Sequence, residues 1–177
     1  MRTIDREASA LLMVDFQTRL MPAIEGGAAV IANARRLLTA ARILGVPALF
    51  TEQNAGGLGA TVPELAEAAA PVLHKMSFDA CRAADADKLL PNRKAIVLAG
   101  CEAHVCVLQT ALGLLDADRQ VYVVEDAVGA RRPESKTAAL RRMAHHGAEI
   151  VTTEMVLFEW LATAKDPHFR EVLALIK

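Results

Sequence analysis

The stretch that most constrains the fold is AIVLAGCEAHVCVLQTALGLLD, at residues 95–116. The unbroken apolar run at residues 96–99 is typical of a strand that is buried on both faces of a parallel sheet. Gly100 interrupts the run, and apolar residues at helical spacing begin a few positions later. The pattern predicts a central strand followed directly by a helix, with Cys106 in the first turn of that helix.

The predicted position of Cys106 has a chemical consequence. Free backbone N–H groups and the positive end of the helix dipole lie at the start of a helix. Both favour a thiolate, so we expect the pKa of Cys106 to be lowered, and the same N–H groups could bind an oxyanion beside the sulfur. The alternative is a buried and unreactive cysteine, because free cysteines are commonly small core residues.

The rest of the chain alternates between strand and helix patterns. Further strands are predicted at residues 10–14, 46–51, 72–75, 120–124 and 149–151, and further helices at residues 28–44, 63–70, 85–90, 133–146, 155–162 and 169–176. The alternation predicts an α/β fold with three α-β-α layers, a doubly wound parallel sheet of about six strands in the order 3-2-1-4-5-6. We expect a single domain over residues 1–177, since no internal repeat or composition break occurs.

Composition and charge argue against several classes of protein. The net charge of −1 does not suggest nucleic acid or an anionic membrane as a partner, and no apolar run approaches the length of a membrane span. Three cysteines without a repeated spacing, and a charged first segment without an apolar signal region, predict a cytoplasmic location. The hydrophobic fraction of 53% predicts a homo-oligomer, a dimer at least.

The predicted topology brings two reactive side chains together. Strands one and four are neighbours at the point where the strand order reverses, and ligands of such sheets bind there, at the carboxyl ends of the strands. Asp15 ends strand one and Cys106 follows strand four. A carboxylate would then lie beside the thiol, as covalent catalysis requires. Taken alone, Asp15 is also consistent with a strand-end carboxylate that caps a turn.

Five segments of the chain resemble, in order, the isochorismatase-like cysteine hydrolases. They are VDFQ at 14–17, TEQNAGGLGATVPEL at 51–65, HKMSF at 74–78, GCEAHVCVLQT at 100–110 and DPHFREVLALIK at 166–177. The second and the last are especially similar to the isochorismatase-domain-containing subgroup. The resemblance covers essentially the whole domain and implies a hydrolase that cleaves a small amide-type or related ester substrate.

The resemblance also implies roles for particular residues. Asp15, Lys75 and Cys106 occupy the positions of an Asp–Lys–Cys triad. Asp15 would take and return the thiol proton, Lys75 would orient Asp15 and lower the pKa of the thiol, and Cys106 would attack a carbonyl carbon to form a covalent intermediate. A cis peptide is implied at Cys101–Glu102, with the backbone amides of Glu102 and Cys106 forming the oxyanion hole.

Other polar residues flank the expected crevice. Gln17, Gln53 and Asn54 could hydrogen-bond a substrate from the rim, although ordinary loop solvation explains them equally well. His104 is two residues from Cys106 and does not share its helical face, so we interpret it as a solvent-facing or pocket-lining residue rather than a base. We expect neither metal nor cofactor: residues 52–63 lack the Asp and His that nicotinamidases of this superfamily place there, and the five histidines show no ligand spacing.

Two functions of other classes remain open from the sequence. One is a thiol redox protein that uses Cys106, and the other is a non-catalytic oligomeric protein that retains the fold. A redox protein would lack an obvious resolving thiol, since Cys101 lies in the strand–helix turn. The presence of all three triad residues favours the hydrolase, whose substrate the sequence does not identify.

Overall fold

A six-stranded parallel sheet forms the centre of the structure, a computed structural model that describes residues 3–66 and 70–177. Its strands are β1 (Ser9–Val14), β2 (Ala48–Gln53), β3 (Val72–Lys75), β4 (Ala95–Cys101), β5 (Gln120–Gly129) and β6 (Glu149–Val151). The spatial order is β3-β2-β1-β4-β5-β6, with parallel pairing throughout. The predicted fold class and strand order are confirmed.

Helices cover both faces of the sheet. They are α1 (Gly27–Leu44), α2 (Ala55–Leu58), α3 (Ala86–Leu89), α4 (Leu108–Asp116), α5 (Pro133–His145), α6 (Thr153–Leu161) and α7 (Phe169–Leu173). Short 3₁₀ turns occur at Arg6–Ala8, Met21–Ala23 and Ala80–Arg82. Within residues 3–66 and 70–177, none of the helices has the length and apolar character needed to cross a membrane.

The core consists of two apolar clusters, one on each face of the sheet. Leu11 and Met13 of β1 belong to the cluster that includes residues of α1 and α6. Leu12 and Val14 belong to the opposite cluster, which includes residues of α4 and α5. Successive side chains of a strand point to opposite faces, so β1 contributes to both clusters. Every residue of β1 and β4 is buried, as the central strands of a doubly wound sheet require.

The turn after β4 differs from the sequence prediction. The strand continues through Gly100 to Cys101, because Gly100 adopts φ 145° and lies so close to β1 that a Cβ there would be 2.2 Å from the carbonyl oxygen of Val14. The following residues, Ala103–Val107, form a π-helical turn, and α4 begins only at Leu108. Cys106 therefore lies in a widened turn ahead of the α-helix.

The helix predicted at residues 63–70 is wrong in its first part. The amides of Leu65 and Ala66 both donate to the carbonyl of Val62, which makes a single turn, and the Val62 amide donates to Phe16. Val62 and Leu65 are buried in the core, so this segment packs against the core as a turn instead of extending as a helix. Residues 67–69 of the predicted helix lie outside the described residues.

Candidate active site

Asp15 lies at the carboxyl end of β1 and is completely buried. Its φ of 52° turns the chain away from the strand, a conformation that Asp tolerates better than most residues. The Asp15 amide donates to the carbonyl of Thr51 (3.1 Å), and the Thr51 hydroxyl donates to Asp15 Oδ1 (2.5 Å). The end of β2 therefore holds both the backbone and the carboxylate of Asp15.

Lys75 ends β3, two strands from β1, and its long side chain reaches Asp15. Its Nζ donates to Asp15 Oδ2 at 2.8 Å and to the carbonyls of Phe78 at 3.1 Å and Ser77 at 3.3 Å. Both charged side chains have 0% exposure. A buried ion pair is tolerated only where further hydrogen bonds satisfy each charge, and both charges have them here.

Cys106 completes the cluster from the turn after β4. It is 7% exposed, and its thiol is hydrogen-bonded to Asp15. Burial raises the pKa of the Cys106 thiol well above its usual range, the negative charge of Asp15 adds to the rise, and Lys75 opposes it. Because Lys75 is already paired with Asp15, burial dominates. The expected lowered pKa is wrong, because the surroundings of Cys106 raise the pKa of its thiol.

The thiol pKa values of the other two cysteines are raised, as is that of Cys106. Burial raises the pKa of Cys81 to about 12, with help from Asp79, and raises the pKa of Cys101 to about 12. A depressed thiol pKa therefore does not distinguish Cys106. Its distinguishing feature is the carboxylate beside it, which can accept the thiol proton.

The turn between β4 and α4 holds the residues expected to form the oxyanion hole. The Cys101–Glu102 peptide bond is cis. The Glu102 carbonyl accepts hydrogen bonds from the amides of Val105 (3.0 Å) and Val107 (3.2 Å), so the chain folds back over a few residues and carries Cys106 with it. Glu102 and Cys106 thus belong to one compact turn at the end of the central strand.

The residues expected at the rim have different surroundings. Gln17 is completely buried: its Nε2 donates to the carbonyls of Gln53 (3.0 Å) and Gly59 (2.6 Å), and its Oε1 accepts from the Gln53 amide (2.9 Å). Its expected rim position is wrong, because these bonds use its side-chain amide to link the loop that contains Gly59 to the end of β2. Gln53 is half-buried and donates to the Met76 carbonyl (3.2 Å), and Asn54 is exposed with φ 42°.

The histidines do not form a metal site in the part of the chain that the structure describes. Among those residues, no group of three or more His, Cys, Asp or Glu side chains could hold an ion. His74 approaches Glu52 (Nδ1–Oε2, 3.4 Å), but the other carboxylate oxygen of Glu52 accepts from the amide and hydroxyl of Thr61. His104 is half-buried, and its buried Nδ1 has no hydrogen-bond partner among the described residues.

Two residues of the site were missed by sequence reasoning. Thr51 holds the Asp15 carboxylate, and a signal for it existed, since it is the last residue of the predicted second strand, a polar residue at a strand end like Asp15. Arg131 contacts the Glu102 carboxylate (Nε–Oε2, 3.0 Å). No sequence signal pointed to Arg131, because the predicted fifth strand ended at residue 124.

Fold and site together define an α/β protein with a buried carboxylate, ammonium and thiol at the carboxyl ends of its strands, an arrangement suited to nucleophilic catalysis. The family model of the isochorismatase domain matches residues 9–155. The chain belongs to the isochorismatase family, and the resemblance drawn from its motifs is confirmed.

Comparison with known proteins agrees with this assignment. The chain is 37% identical to isochorismatase domain-containing protein 2 of Rattus norvegicus over 97% of this chain and 82% of the relative. It is similar to the structure of MAR1 ribonuclease from Caenorhabditis elegans (TM-score 0.93, 37% identity, 98% and 92% of the two chains). It is also similar to the YcaC gene product of Escherichia coli, described as an octameric hydrolase of unknown specificity (TM-score 0.89, 26% identity, 99% and 88%).

Proposed function

We propose that the protein is a cysteine hydrolase that cleaves the C–N bond of a small amide, or a related ester bond, through a thioester on Cys106. The observation that carries the proposal is the convergence of three side chains from three separate segments. Asp15 accepts a hydrogen bond from Lys75 at 2.8 Å and is hydrogen-bonded to the Cys106 thiol. Membership of the isochorismatase family supports a hydrolase activity.

In the first step, the sulfur of Cys106 attacks the carbonyl carbon while its proton moves to Asp15. Since burial raises the pKa of the thiol, little thiolate exists before substrate arrives, and proton transfer accompanies the attack. A C–S bond forms, and the carbonyl π electrons move to oxygen. The backbone amides of Glu102 and Cys106 stabilise that oxyanion, and Lys75 stays protonated and keeps Asp15 oriented.

In the second step, the tetrahedral intermediate collapses and the C–N bond breaks. The leaving nitrogen takes the proton from Asp15 and departs as an amine, which leaves an acyl group on Cys106. Water then attacks the thioester and passes a proton to Asp15. The C–S bond breaks, the acid is released, and the sulfur recovers its proton.

Further parts of the proposal concern assembly, location and cofactors. We propose a homo-oligomer, which the octameric state of the E. coli relative supports. Large apolar side chains that remain exposed in the described chain point the same way, and they are Met76, Phe78, Met155 and Phe158. We also propose a cytoplasmic protein that needs neither metal nor cofactor.

The test is a screen of small amides, ureides and esters with the native protein and the Cys106→Ala variant. We expect turnover in the native protein, loss of turnover in Cys106→Ala, and a covalent acyl adduct on Cys106 by mass spectrometry. Asp15→Asn should also abolish turnover, because an amide can neither take nor return the proton. Cys81→Ala, which removes a half-buried thiol elsewhere, should retain activity. Full activity in Cys106→Ala would exclude the covalent mechanism.

The same screen separates the alternatives. Short RNA is included because a relative carries the name ribonuclease, and RNA cleavage that needs Cys106 would replace the amide proposal. If Cys106 is alkylated by iodoacetamide but no compound is hydrolysed, a thiol redox role gains support. If Cys106 neither reacts nor supports turnover, a non-catalytic oligomeric protein is the better description.

A further inference from the structure

A second ion pair lies next to the proposed triad, between Glu102 and Arg131. The Glu102 carboxylate is almost fully buried, with 9% of its side chain exposed. It accepts a hydrogen bond from the Arg131 backbone amide (3.0 Å), and Nε of Arg131 contacts Oε1 (3.1 Å) and Oε2 (3.0 Å). The Arg131 side chain is 61% exposed. One exposed arginine thus compensates a buried carboxylate in the turn that carries Cys106.

An irregularity in β5 brings Arg131 to this position. Leu98 of β4 pairs with Val123, but Gly100 pairs with Val128 and Cys101 with Gly129. Continuing the first register would have set Cys101 opposite residue 126, so the irregularity advances β5 by three residues. Without it, Arg131 would lie three residues further along the strand direction from Glu102, which is about 10 Å.

We propose that Arg131 is a positioning residue that acts through Glu102, neutralising its carboxylate and holding the turn that carries the Cys106 thiol. The effect on the thiol is independent of turnover, whereas any contribution to hydrolysis rests on the proposed function.

The charges around Cys106 show why this pair matters. Asp15 from β1 and Lys75 from β3 face the thiol and compensate each other at 2.8 Å. Glu102 also raises the pKa of Cys106, after burial and Asp15. Lys136 of α5 acts on Cys101 instead. Arg131 therefore compensates the negative charge of Glu102, and removing Arg131 would leave that charge uncompensated beside the Cys106 thiol.

The experiment measures the rate at which iodoacetamide alkylates Cys106, by peptide mapping over a range of pH. Iodoacetamide is uncharged, so surface charge does not bias its approach. Arg131→Ala should move the pH profile of Cys106 upward by about one unit, which is a roughly tenfold slower reaction at a fixed pH. Glu102→Gln should move it in the opposite direction. Alkylation of Cys81 in the same samples is the internal reference.

Arg132→Ala is the matched control, because it removes a neighbouring arginine that has no hydrogen bond to Glu102. Its alkylation rate should stay within about twofold of the native rate, because Arg131 still compensates the Glu102 carboxylate in this variant. In a Glu102→Gln background, Arg131→Ala should have no further effect. Arg131→Lys, which keeps the charge, should stay closer to the native profile than Arg131→Ala.

Three results would overturn the proposal. The first is that Arg131→Ala and Arg132→Ala change the alkylation of Cys106 equally. The second is that Arg131→Ala has its full effect on that alkylation in the Glu102→Gln background, and the third is that Glu102→Gln leaves the pH profile of Cys106 unchanged. Thermal unfolding verifies that each variant folds. If Arg131→Ala does not fold, Glu102→Gln and Arg131→Lys still decide the question. A shifted profile without hydrolysis of any compound would favour a thiol redox role over the proposed hydrolase and leave the role of Arg131 intact.

Discussion

Replacing Thr51 by valine tests whether Asp15 depends on a hydrogen bond from β2. The Thr51 hydroxyl donates to Asp15 Oδ1 at 2.5 Å, and both residues have 0% exposure. Valine has nearly the same volume but no donor, so the substitution removes the hydrogen bond without opening a large cavity. The backbone bond from the Asp15 amide to the Thr51 carbonyl remains.

The magnitude follows from the charge and the burial of the acceptor. Hydrogen bonds to ionised groups contribute about 1.5–3 kcal/mol, and a buried carboxylate oxygen without a partner retains its desolvation cost. We therefore expect the free energy of unfolding to fall by about 1.5–3 kcal/mol. A carboxylate that has lost the hydrogen bond from β2 would also be less well oriented toward the thiol, so kcat on an identified substrate should fall by about tenfold or more.

The assay is equilibrium unfolding in urea, followed by fluorescence of Trp160, the single tryptophan, which is buried. The midpoint should fall without a change in slope, because the surface exposed on unfolding is the same. Thr51→Ser is the control: it keeps the hydroxyl and loses one methyl group, which costs about 1 kcal/mol. If Thr51→Val is no less stable and no less active than Thr51→Ser, the hydrogen bond does not hold Asp15 as argued.

Further predictions concern the close strand contact, acid stability and assembly. Gly100→Ala should destabilise the fold by about 1–3 kcal/mol or more, because its Cβ would lie 2.2 Å from the Val14 carbonyl oxygen; an unchanged urea midpoint would contradict the close approach. The pKa of Asp166 is lowered by the His168 amide and by Arg6, so its stabilisation is present above the unfolded pKa of about 3.9 and is lost as pH falls through the lower folded value. The difference in Tm between native protein and Asp166→Asn should thus shrink from pH 6 to pH 3, and a constant difference would refute the assignment. Light scattering at micromolar concentration should give the mass of a dimer or a larger assembly, and a monomer mass would exclude the homo-oligomer.

Much of the fold was predictable because its signals are local. The buried runs of β1 and β4, and the helical spacing of α1 and α5, each appear within about twenty consecutive residues. Parallel strands joined by right-handed helical connections leave few possible strand orders, and the order expected from the sequence, 3-2-1-4-5-6, is one of them. Element ends were less predictable, since β2 and β5 extend past the predicted residues 51 and 124 where neighbouring strands supply hydrogen bonds.

The residues of the proposed site differ in how far the sequence alone predicted their positions. Asp15 and Cys106 followed from strand ends at the switch point, which is a property of topology. Lys75 came only from the resemblance, because a residue two strands away reaches Asp15 through the length and direction of its side chain. Gln17 was misjudged because its amide faces the loop that begins at Gln53, a contact between segments far apart in sequence.

The sequence by itself determined the parallel sheet, the strand order, the family and the segments that meet at the carboxyl ends of the strands. These follow from periodicity and motifs, which depend on neighbouring residues. Only the tertiary structure decided the burial of the Cys106 thiol, the burial of Gln17 and the pairing of Glu102 with Arg131. The pKa of Cys106 depends on the water excluded and the charges gathered by several distant segments, and the position of Arg131 depends on a register shift between β4 and β5. The pKa of Cys106 and the position of Arg131 both depend on contacts that form only when the chain folds.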